Sequence, residues 1–113
     1  KVSDDEFDIK QSVGGITDIE FMMQYLVLRY AAEKPKMQIW SDNVRIISRC
    51  MAEGLISERL GSALTDSYCA MRDEIHRLNL LDKKGIVPAS AFQAERKIVT
   101  DYWQTLFGLL PVK

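Results

Sequence analysis

One stretch restricts the fold more than any other. Gly14-Gly15 breaks the chain, and the run Ile16-Thr17-Asp18-Ile19-Glu20-Phe21 onward to Ala32 then reads as a helix that is apolar around most of its circumference. Thr17 is placed to act as N-cap with Glu20 three residues later, the pattern of a capping box, and Ile16 and Phe21 stand at the positions of a hydrophobic staple. The helix is expected from about Asp18 to Glu33, where Lys34-Pro35 ends it, because a residue before proline is pushed out of the helical region. At about 100° per residue, Ile19, Met22, Met23, Leu26 and Tyr30 form one apolar face. Phe21, Tyr25, Leu28 and Ala32 form a second one roughly opposite, and only a Glu20/Gln24 stripe and an Asp18/Arg29 stripe separate the two. A helix apolar on both sides is normally covered on both sides. Either a bundle wraps it or a second body packs on the Phe21, Tyr25, Leu28 face, since an exposed patch of this kind marks an interface.

The rest of the chain supplies the bundle. A loop with Met37, Ile39 and Trp40 leads to Ser41-Asp42-Asn43, a second N-cap, after which Val44, Ile47, Cys50 and Met51 share a face and Gly54 stops the helix. Ser57 caps a longer helix reaching Asp82, with Leu60, Leu64, Ser67, Met71, Ile75 and Leu78 recurring every three or four residues. Residues 83–88 read as loop, and Ser90 with Gln93 reads as a capping box opening a fourth helix. Its stripe is Phe92, Val99, Trp103 and Leu106, widened by Ile98, Tyr102 and Phe107, and Gly108 and Pro111 close it. The expected fold is all-α: an antiparallel bundle of four main helices over residues 14–113, preceded by an extended lead-in over 1–13 in which Phe7-Asp8-Ile9 alternates like a short strand without a partner. The chain starts at Lys1 on an acidic stretch and reads as a piece of something longer.

Composition removes several classes of function. With 113 residues and 47% hydrophobic content, one domain with a real core is the expectation. A formal net charge of -1 with dispersed basic residues argues against nucleic acid as a partner. No apolar run is long enough to span a membrane. Cys50 and Cys69 fall at apolar-periodic places without metal spacing, which suits reduced thiols in a cytoplasmic protein.

Chemistry-bearing candidates are few. Two glycines before a helix can present backbone N–H groups and the positive end of the dipole to a phosphate, or can form a plain turn. Asp18 and Glu20 are acidic neighbours, but two positions apart on a helix they diverge by about 200° and cannot share one ion. His76 is the single histidine, four residues after Arg72 on the same helix face, so no histidine-based metal site or triad can be built within the chain. Gly61-Ser62 with Asp66 and Asp73 lacks the closely spaced aspartates on a strand that a nucleotidyltransferase needs, and is set aside.

Beyond these residue-level readings, the sequence resembles a known family. Phe7-Asp8-Ile9-Lys10 through Gly14-Gly15-Ile16-Thr17-Asp18-Ile19-Glu20-Phe21 and on to Ala31, followed in order by Glu33-Lys34-Pro35-Lys36, Trp40-Ser41-Asp42-Asn43-Val44-Arg45, Arg72-Asp73-Glu74-Ile75-His76-Arg77-Leu78, Ala94-Glu95-Arg96 and Trp103, is similar to the glutamine synthetase adenylyltransferase/adenylyl-removing family. That resemblance implies a multifunctional enzyme of nitrogen metabolism with two nucleotidyltransferase halves. One half transfers AMP from ATP to a tyrosine of glutamine synthetase with magnesium and the other removes it by phosphorolysis, under a PII signal protein and glutamine. It implies that this chain is the helical domain following the adenylylating half. Within that frame the Gly-Gly helix start and the two polar stripes lead to the expectation of Lys10, Gly14, Gly15, Asp18 and Glu20 on the nucleotide side of the cleft with Gln24, Arg72 and His76 in support, and the second apolar face to Phe21, Tyr25 and Leu28 at the interface with the enzyme's own nucleotidyltransferase domain. The Gly-Ser...Asp-x-Asp sheet of that family is not in these residues, so no catalytic or metal-binding residue is expected here, the chain alone is expected to be inactive, and ATP and magnesium are expected to bind tightly only in the parent enzyme. The competing expectation is a non-catalytic module whose apolar face binds glutamine synthetase or the PII protein; a stand-alone helical regulator is a third.

Overall fold

The computed structural model describes residues 2–30, 33 and 42–111. Among the described residues six elements follow in order: β1 (Glu6–Asp8), α1 (Ile16–Tyr30), α2 (Asn43–Ala52), α3 (Glu58–Leu80), β2 (Ile86–Pro88) and α4 (Gln93–Phe107). The long α3 packs against the other three helices, and α1 also touches α2 and α4. The expected four-helix architecture is the observed one. The expected helix end at Lys34-Pro35, Ala32, and the loop with Met37, Ile39 and Trp40 lie outside the described residues.

The boundaries set by local chemistry fall where the sequence puts them. Asp42 caps α2 by accepting from the Val44 N–H, and Ser57 caps α3 by accepting from the Leu60 N–H. Gly54 takes a left-handed φ of +76° just past α2, and the Leu55 and Gly54 N–H groups bond back to the carbonyls of Cys50 and Met51, the paired bonds of a Schellman stop.

Three expectations need correction. First, α1 begins at Ile16, so Gly15 occupies the cap position and Asp18, rather than Glu20, reaches back over the helix start. The Ile16–Phe21 staple does not form, because Ile16 is drawn into the cluster around Phe7 and Ile9 while Phe21 lies on α4 aromatics. Second, the expected loop at 83–88 contains β2, which pairs antiparallel with β1 in the register Glu6↔Pro88, Phe7↔Val87, Asp8↔Ile86. The lead-in therefore has a partner strand. Third, α4 starts at Gln93 behind Phe92, whose φ is +58°, with no side-chain cap, so the Ser90/Gln93 box is absent. Packing of the partly buried Phe92 side chain against Phe7 outweighs the local preference for a polar cap.

Two apolar clusters result. The larger gathers Ile19, Met22, Met23 and Leu26 of α1, Ile46, Ile47 and Cys50 of α2, Leu64 of α3, and Val99 and Tyr102 of α4. The smaller gathers Phe7, Ile9, Ile16, Met71 and Leu78 beneath the ribbon, and Tyr68 packs against both. At Gly61 α3 lies tight against α2, and a side-chain carbon there would run into Met51.

Candidate functional site

Residues 8–18 form a knot of hydrogen bonds between lead-in and α1. The Asp8 carboxylate accepts from the N–H groups of Lys10 and Gln11 at 3.0 and 3.1 Å, and the Asp8 N–H donates to Ser12 Oγ at 3.0 Å. Further along, the N–H of Gly15 donates to the Ser12 carbonyl, that of Ile16 to Ile9, and that of Thr17 to Lys10, at 2.9 to 3.0 Å. The Gly14 N–H donates to Asp18 Oδ2 at 2.7 Å, and Asp18 is only 2% exposed.

This arrangement decides between the two readings of the glycines. The four N–H groups that would cradle a phosphate are each bonded within the chain, so Gly14 and Gly15 form a closed turn in place of an open anion nest. Glycine is required for space: Gly14 has φ +85° and faces the backbone of Arg96, and a carbon on Gly15 would collide with the Ile9 carbonyl. Asp18 is part of the turn, offsetting the helix dipole and accepting a buried donor.

The other candidates separate into groups. The Lys10 side chain is exposed, and its peptide is held on both sides by Asp8 and Thr17. Glu20 is partly buried and Gln24 exposed on their own stripe of α1. Arg72 is half-buried over the Tyr68 ring at 5.6 Å, with Cys69 Sγ at 3.7 Å and Asp73 Oδ1 at 3.7 Å, while His76 is exposed and lines a shallow hollow with Asn79 and Leu80. Among the described residues no group of three or more His, Cys, Asp or Glu side chains is arranged to hold a metal ion. Within the same residues no helix is long and apolar enough to cross a membrane.

The second face of α1 is half covered. Phe21 meets Trp103 at 5.2 Å and Phe107 at 5.9 Å between ring centroids, and Tyr25 meets Phe107 edge-on at 4.9 Å. Phe21 nevertheless stays 56% exposed and Leu28 80% exposed. The outcome is an aromatic shelf built by α1 and the end of α4, open on its outer side.

Arg96 is the residue of this region whose role the sequence did not disclose. Its guanidinium stacks 4.1 Å over the Phe7 ring and donates to the carbonyls of Ala89 at 2.6 Å and Ala91 at 3.4 Å. No spacing rule connects Phe7 to Arg96, since the two meet only once β1 has paired with β2.

The family described as GlnD PII-uridylyltransferase has a model that matches residues 2–85. The chain belongs to this family. The matched span takes in the lead-in, the glycine turn, α1, α2 and α3, and ends just before β2. The family is one of nucleotidyltransferase-type enzymes of nitrogen regulation, which agrees with the resemblance at that level, and its description names PII uridylylation where the resemblance names adenylylation of glutamine synthetase.

Proposed function

We propose that this chain is the helical domain of a nucleotidyltransferase that adenylylates a tyrosine of glutamine synthetase from ATP and reverses the modification by phosphorolysis, in response to a PII signal protein. In this reading the domain packs on the enzyme's nucleotidyltransferase domain and completes its cleft. The observation that carries it is the closed Gly14–Asp18 turn, bonded to the lead-in on one side and continuous with the open aromatic shelf on the other. A turn so constrained fits a junction between two bodies, and the shelf of Phe21, Tyr25 and Leu28 fits the apolar surface such a junction buries.

Within the junction Asp18 orders the turn, and Lys10, Glu20 and Gln24 are the side chains left to face the nucleotide. Magnesium, held by the catalytic domain, would neutralise the nucleotide phosphates. Lys10 adds an ammonium whose backbone is already fixed, so little ordering remains when it meets a phosphate. The cytoplasm is the compartment that suits this chemistry and the two free thiols.

The family match favours a second reading, in which the nucleotide is UTP and the acceptor is the PII protein. The two are separated by incubating the full-length protein with labelled ATP and glutamine synthetase, and with labelled UTP and PII protein. Label on glutamine synthetase from ATP is the expected result; label on PII from UTP alone replaces the first reading with the second. If neither acceptor is labelled but the 113-residue chain binds PII or glutamine synthetase in titration and ignores ATP, the domain is an interaction module. Asp18→Ala in the full-length enzyme, assayed for transfer beside thermal stability, completes the test: unchanged activity removes Asp18 from the junction's function.

A further inference from the structure

We infer that Arg96 is a positioning residue of this junction: it fastens α4 to the lead-in and the glycine turn, and so fixes where Lys10 stands. This rests on the reading above that Lys10 faces the nucleotide.

Three contacts converge on the Arg96 guanidinium, and a fourth is made by the residue's backbone and Cβ. Its guanidinium covers the ring of Phe7, a fully buried residue of β1 that lies opposite Val87 in the ribbon. The same group holds the carbonyls of Ala89 and Ala91, which form the link from β2 to α4. Its own backbone and Cβ lie against Gly14 so closely that a carbon on that glycine would stand 3.1 Å from Arg96 Cβ. From Phe7 the chain passes through Asp8 and Ile9 to Lys10, whose carbonyl accepts the Thr17 N–H. Arg96 therefore reaches the strand before Lys10 with its guanidinium and the turn after it with its backbone and Cβ. A guanidinium can stack on a ring and fork to two carbonyls at once, and an ammonium cannot.

Arg96 lies beyond the matched span of residues 2–85. The fastener is contributed by α4, the element that also supplies Trp103 and Phe107 to the shelf. A displacement of α4 would thus move the shelf and release the lead-in together.

The test is a double-mutant cycle in the full-length nucleotidyltransferase, Arg96→Met against Lys10→Met, with kcat and KM for the nucleotide measured well below the unfolding temperature of every variant. Misplacement of a positioned group costs about 10- to 100-fold, and that loss is expected from each single change. The double variant should be no worse than Lys10→Met alone, because Arg96 acts through Lys10. Arg96→Lys should recover only part of the loss. Additive losses, with Lys10 itself important, overturn the inference and leave the nucleotide reading standing. An inert Lys10→Met overturns the nucleotide reading, and with it the route through Lys10. Amide hydrogen exchange on the 113-residue chain then judges the fastening alone: Arg96→Met should speed exchange at Gly14, Ile16 and Thr17 at least about tenfold while Ile46 and Ile47 of α2 stay protected. Equal loss across all helices, or no change at the turn, overturns it.

Discussion

Asp18 Oδ2 and the Gly14 N–H, 2.7 Å apart, close a ring across the first turn of α1 from a position almost wholly out of solvent. Asp18→Ala leaves a buried donor without its acceptor and should cost about 2–3 kcal/mol in urea unfolding, whereas Asp18→Asn, which can still accept at one oxygen, should cost about half as much.

The two glycines of the same turn are irreplaceable for different reasons. Gly14→Ala meets a positive φ and the flank of Arg96, and Gly15→Ala meets the Ile9 carbonyl. Each should lower stability by about 2 kcal/mol, read from the chemical-denaturation midpoint at unchanged slope.

Alanine is normally better than glycine inside a helix by about 1 kcal/mol. Gly61→Ala in α3 should fail to deliver that gain because it displaces Met51 of α2. In a Met51→Ala background the same substitution should become favourable, so the cycle between the two positions should show a coupling larger than about 0.5 kcal/mol.

The contribution of two buried groups to stability should be level below about pH 8 and fall as the pH rises further. Burial pushes the Cys50 thiol up to about 11, and burial, with Cys50 and Tyr30 nearby, pushes the Tyr102 hydroxyl up to about 12. Both groups hold their proton more tightly when folded, so their contribution is complete below their unfolded values and is lost as pH rises through the folded ones. For Cys50 alone the loss is about 2–3 kcal/mol between pH 9 and 11. Tyr102→Phe should flatten the part of the decline above pH 10 in denaturation series measured across that range.

The shelf should separate folding from assembly. Phe21→Ala removes ring contacts worth about 1 kcal/mol, because much of the ring is already in water. It should nonetheless weaken activity in the full-length enzyme severalfold by opening the proposed domain interface. Trp103→Ala, which empties the inner side of the shelf, should cost about 3 kcal/mol in the chain itself.

What the sequence made legible was the part governed by neighbours in the chain. Asp42, Ser57, Gly54 and Gly108 end or begin helices through bonds a few residues long, and each was readable. The start of α1 was misplaced because Thr17 and Asp18 compete for the same role; the bond from Asp18 to Gly14 prevails once Lys10 and Ile9 occupy the neighbouring amides. β2 and the Phe92 turn were hidden because each is held by residues from the far end of the chain. Among site residues, the exposed position of Lys10 and the open outer side of Phe21 follow from pattern, but the closed glycine turn and the Arg96 stack depend on contacts that no periodicity encodes.

The ribbon also sets an order of events. Pairing Glu6–Asp8 with Ile86–Pro88 joins the two ends of a segment holding α1, α2 and α3, and closing so long a loop costs on the order of 4 kcal/mol in chain entropy. Three residue pairs cannot meet that cost alone, so the strands join only after the helices between them have assembled. The lead-in is therefore expected to dock after α1, α2 and α3. On the reading proposed above, a domain joined ahead of the lead-in would be gripped only by assembled helices, which would make the ribbon a checkpoint on their completeness.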